Sequence, residues 1–101
     1  MKLSIKDRLL FASLYPQKGN LVEQILTKDI NEKVSLKQKE VVDIGLKEKE
    51  GQITWSDKKD VVKEVDFTDA ELDFLKSQVE RLDEAKEITR EITDLCIKIK
   101  G

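Results

Sequence analysis

The spacing of apolar residues changes twice along this 101-residue chain, and that change limits the possible folds more than any other feature. Ile5, Leu9 and Ala12, with Leu10 and Leu14, recur at helical spacing, and so do Leu21, Val22, Ile25, Leu26 and Ile30. A short third stretch runs from Ser35 through Val41 and Val42. The period then falls to two: Ile44 and Leu46 alternate with Gly45 and Lys47, and Ile53 and Trp55 with Gln52 and Thr54. Val61, Val65 and Phe67 repeat the alternation, and from Leu72 the three-four spacing returns through Leu75, Val79 and Leu82. Apolar positions 3.6 residues apart share one helix face, whereas alternate positions share one face of a strand. The order predicted is helices, an antiparallel three-stranded meander, then two C-terminal helices: one α+β domain over residues 1–101.

Local signals place the boundaries. Ser4, Asn20 and Thr68 each stand where an N-cap is needed, and Thr68 with Glu71 has capping-box form. Ser35 with Gln38 has the same form and is expected to open the third helix. Pro16 and Gly19 close the first helix. Glu50-Gly51 reads as a two-residue hairpin turn, which sets Glu48 opposite Ile53 and Leu46 opposite Trp55. Between Leu82 and Ile88 the apolar register drifts, so residues 69–99 are read as two helices, with Thr89 a cap for the last.

Composition narrows the chemistry. The chain has no histidine and one cysteine, Cys96, so no Ser-His-Asp, Cys-His or Cys/His zinc constellation can be drawn. The four glycines are scattered at 19, 45, 51 and 101, with no phosphate-cradling motif. Asp57/Asp60 and Asp66/Asp69 are the carboxylate pairs to weigh as a cation site, but they lack the spacing of a calcium loop and read as turn and cap residues. No catalytic residue, metal ligand or cofactor is expected, and the chain is read as a non-enzyme. With one cysteine and no long apolar run, it is expected to be cytoplasmic and free of the membrane.

Two binding readings follow. In the first, a protein partner meets an apolar patch ringed by charge, with Trp55, Tyr15, Ile92 and Ile99 as contact candidates; self-association belongs to the same reading. In the second, the order of three helices and a hairpin is that of a winged helix. Lys33, Lys37 and Lys39 then surround a recognition helix, and Lys47 and Lys49 lie on the wing. Against it, 21 acidic residues outnumber 19 basic ones, and Arg8, Arg81 and Arg90 all lie outside the reading elements. Nucleic acid is the disfavoured partner. Cys96 is expected to be a small buried hydrophobe.

Four stretches carry a resemblance. They are Leu3-Ser4-Ile5-Lys6-Asp7-Arg8-Leu9-Leu10, Pro16-Gln17-Lys18-Gly19-Asn20, Gly51-Gln52-Ile53-Thr54-Trp55 and the Leu82…Ile88-Thr89…Leu95 pattern. Together they resemble short uncharacterised proteins of bacteriophages and prophages. The resemblance implies a mobile-element setting, in a bacterial host or phage-infected cell, and an accessory or regulatory role; it brings no catalytic residues. Where the usual closing segment carries an aromatic, this chain has Leu95-Cys96-Ile97.

Overall fold

A computed structural model describes residues 1–55 and 62–101. Its elements are β1 (Lys2–Leu3), α1 (Ile5–Leu10) running into a 3-10 turn (Phe11–Leu14), α2 (Leu21–Val34), α3 (Gln38–Asp43), β2 (Lys47–Lys49), β3 (Gln52–Thr54), β4 (Lys63–Glu64), α4 (Asp69–Glu84) and α5 (Thr93–Lys100). The class is mixed α+β, as the periodicity predicts. Its strands, however, form two separate two-stranded antiparallel sheets, β1 with β4 and β2 with β3, and not one meander. The cause is a strand that periodicity could not show. Lys2 and Leu3 extend alongside Lys63 and Glu64, and the Val65 N–H donates to the Met1 carbonyl at 2.9 Å, so β4 is partnered from the other end of the chain. Val61, expected in that third strand, lies outside the described residues, as do Asp57 and Asp60.

Three helices start where their caps predict. Ser4, Asn20 and Thr68 each accept from the backbone N–H three residues on, and Asp7, Glu23 and Glu71 each return the bond to the cap's own N–H. Ser35 does not open α3. Its hydroxyl donates to the Asn31 carbonyl, its backbone ends α2, and α3 begins at Gln38 after Lys37. A hydroxyl that can cap the following helix can equally satisfy an orphan carbonyl of the preceding one, and here the second role wins.

Two helices end in the same motif. After α3, Gly45 takes φ 64°, its N–H donates to Val42, and the Leu46 N–H donates to Val41. Ile44-Gly45-Leu46 is therefore a helix terminus and not the start of a strand. After α4, Lys86 takes φ 57°, its N–H donates to Asp83, and the Glu87 N–H donates to Leu82. These are the paired bonds of a Schellman ending, and the left-handed residue at Lys86 breaks the long helical pattern into two helices. Thr89 is not a cap: α5 follows Ile92, and the Thr89 carbonyl accepts from the Thr93 hydroxyl at 2.9 Å.

The core is built from both ends of the chain. Leu3, Phe11, Leu14, Ile30, Val34, Val65, Phe74, Leu75, Val79, Leu82, Ile92, Leu95, Cys96 and Ile99 form one buried cluster. Phe11 stacks on Phe67 with ring centroids 6.0 Å apart.

Arg8 is the polar counterpart of that core. Its side chain is fully buried. Its Nε donates to the Val34 carbonyl at 2.9 Å and its Nη2 to the Ser35 carbonyl at 2.9 Å, closing the C-terminal end of α2. The same guanidinium grips both oxygens of Glu40 on α3, at 2.6 and 3.1 Å. One side chain of α1 thus sets the positions of α2 and α3.

Candidate functional site

The apolar residues of α2 occupy two faces. At 100° per residue, Leu26, Ile30 and Val34 lie along one row, which begins at Val22 in the first turn, and Leu21 falls about 180° away from Ile30. Ile30 and Val34 are buried, and Leu26 packs half-buried against the core. Leu21, Val22 and Ile25 are 76, 65 and 49% exposed. The five residues whose helical spacing predicts one stripe are thus divided: an apolar pair at i and i+4, flanked by Val22, faces outward. The helix presenting it is firm at both ends. Asn20 and Glu23 exchange bonds of 2.9 and 3.0 Å at its start. Arg8 holds its last carbonyls, and Lys33 near its end bonds Glu71 and the Asp66 carbonyl. Lys28, Asp29 and Glu32 are exposed further along the same helix. Three adjacent large apolar side chains on a rigid helix, bordered by charge, have the composition of a contact surface.

Trp55 lies elsewhere. It is half-buried at the end of β3 and lines a cleft of about 310 Å³ with Lys6, Leu9, Leu10, Ile53 and Glu91. Tyr15 is half-buried in a second, more polar cleft of about 600 Å³, together with Lys18, Gln78 and Arg81. Its hydroxyl has no hydrogen-bond partner among the described residues, and burial pushes its pKa up to about 12. Ile92 and Ile99, expected as partner contacts, are 3 and 2% exposed and belong to the core. Both point inward because α5 packs that side of itself on α4, leaving Ile97 outside.

The five lysines do not act as one group. Lys33 is occupied: its ammonium bonds Glu71 and the Asp66 carbonyl and sits 5.9 Å from the Phe67 ring centroid. Burial opposes the charge on Glu71, but the Lys33 and Thr68 hydrogen bonds outweigh it and lower its pKa. Lys37, Lys39, Lys47 and Lys49 are exposed. They are interrupted by Glu40, committed to Arg8, and by exposed Glu48. The helix in the recognition position has only six residues, two of them acidic.

Cys96 is buried, and burial raises its thiol pKa, with Asp83 adding to the effect, so a thiolate is disfavoured. Among the described residues no three His, Cys, Asp or Glu side chains are grouped to hold a metal ion, and no helix is long and apolar enough to cross a membrane. No protein-family model, curated protein or solved structure matches the chain.

Proposed function

We propose that this is a small protein-binding protein, acting without turnover, whose contact surface is the outward face of the first two turns of α2. The observation that carries the reading is the exposure of Leu21, Val22 and Ile25 on a helix fixed at both ends. A disordered apolar segment would lose much of its binding energy in becoming ordered; this one is already ordered. We propose with it an accessory or regulatory role in a bacterial host or phage-infected cell, the setting implied by the sequence resemblance.

The test is affinity capture from bacterial lysate, using the wild-type chain and the double variant Leu21→Glu/Ile25→Glu. Both positions are solvent-facing, so the variant is expected to keep wild-type stability within about 0.5 kcal/mol. The wild type should retain a stoichiometric protein that the variant loses by at least about tenfold, equivalent to roughly 1.4 kcal/mol. Equal retention by both chains, or retention of nucleic acid that washes off with salt, contradicts the reading.

A further inference from the structure

The β2–β3 hairpin has two edges of different chemistry. Its pairs are Lys47 with Thr54, Glu48 with Ile53 and Lys49 with Gln52, around a turn in which Glu50 and Gly51 both take positive φ, 53° and 78°. That turn is of the type I′ family, whose flanking pair exchanges both backbone bonds. Lys49/Gln52 and Lys47/Thr54 are therefore the hydrogen-bonded pairs, and Glu48/Ile53 is the intervening pair whose N–H and C=O groups point outward. Ile53 accordingly directs its backbone donor and acceptor away from β2, and neither has a partner among the described residues.

The outer edge of β2 reads Lys-Glu-Lys, whereas that of β3 reads Gln-Ile-Thr, with no charge and no proline. Charged edge residues discourage strand addition, and β3 lacks that protection. A two-stranded sheet is also below the size that is stable by itself in water.

We propose that two copies of this chain join edge to edge through β3, antiparallel, with Ile53 opposite Ile53 of the second copy and Gln52 opposite its Thr54. The charge pattern selects the second copy at this edge and not at the other. About a two-fold axis at Ile53, no like charges meet, and the two Ile53 residues exchange both backbone bonds while their side chains touch. About the corresponding axis on β2, Glu48 would face Glu48, and Lys47 would face Lys49. Like charges directly opposite destabilise a strand pair. Self-complementary patches of this kind give closed two-fold dimers. The Ile53 side chain is 45% exposed beside the Trp55 cleft, so pairing removes apolar surface as well as satisfying backbone groups. A three-residue strand buries less than the roughly 1,200 Å² of a stable complex, so the dimer forms only at high concentration.

Sedimentation equilibrium from about 10 µM to about 1 mM, the range in which a weak interface is populated, tests this on the full chain. The wild type should move from monomer mass toward twice that mass. Ile53→Pro removes the outward N–H without removing a bond to β2, and Ile53→Lys adds like charge across the axis; both should remain monomeric. In the wild type the Ile53 amide should exchange hydrogen more slowly as concentration rises, while the Glu48 amide, outward on the other edge, should not. Leu21→Glu/Ile25→Glu should leave the association unchanged, which separates this surface from that of α2. A monomer throughout, a dimer that survives both Ile53 variants, or a dimer lost with the α2 variant would overturn the proposal.

Discussion

Replacing Arg8 with alanine is expected to destabilise the protein by about 3–5 kcal/mol, the combined cost of stranded polar groups and a void beside the core. The loss has three parts. The Val34 and Ser35 carbonyls at the end of α2 lose their donor, Glu40 loses its bidentate partner, and a fully buried side chain leaves a void. For a domain of this size the melting temperature should fall by about 15 °C or more. The pH dependence should change with it. The Arg8 hydrogen bonds hold the Glu40 carboxyl down at about 2, against an ordinary value of 4.5. A carboxylate whose folded pKa is depressed adds stability that is complete above its unfolded pKa and is lost as pH falls through the folded value. The wild type should therefore weaken between pH 4.5 and about 2, and Arg8→Ala should show a shallower slope across that window. Urea unfolding at pH 7, 4 and 3 measures both effects. A loss under about 1 kcal/mol at pH 7 would mean the guanidinium network does not hold α2 and α3.

Phe11→Ala is the second large effect, at about 3–5 kcal/mol. Phe11 is fully buried in the 3-10 turn after α1, and its ring stacks on Phe67 just before the Thr68 cap. Truncation opens a cavity where the N-terminal elements meet the approach to α4. It also removes an aromatic pair worth about 1 kcal/mol beyond its area. Thermal unfolding should remain a single transition at a lower temperature. Two separated transitions would show that the ends of the chain do not share one core.

Much of this architecture was legible because it is local. The Ser4, Asn20 and Thr68 caps and the Glu50-Gly51 turn each depend on residues within four positions of one another, and the hairpin register follows from its loop length. What was not legible depends on distance or on competition. The pairing of β1 with β4 joins residues 60 and 62 positions apart, in strands too short to show a period. Ser35 had two possible hydrogen-bonding roles, and only the packed structure selects between them.

The candidate surface is present in the sequence, but apolar spacing alone does not show it. By angular position Leu21 and Ile25 lie on the far side of the helix from Ile30 and Val34, a separation that the angle per residue carries and the count of apolar spacings does not. Ile92 and Ile99 are core and not contacts for the opposite reason: Ile99 shares the inward face of α5 with Leu95 and Cys96, and Ile92 is buried at the residue that caps it. Nothing in the sequence around Arg8 marks it as a structural centre. Its role depends on backbone carbonyls 26 and 27 residues away, which no local pattern can show.

Site-specific photo-crosslinking tests the central claim most directly, with a photoreactive residue at exposed Val22 and a control at exposed Lys76 on α4. If the outward face of α2 is where this protein meets its partner, irradiation in bacterial lysate should give one discrete protein adduct at position 22 and none at position 76. No adduct at 22, the same adduct at both positions, or an adduct that nuclease removes would contradict the account.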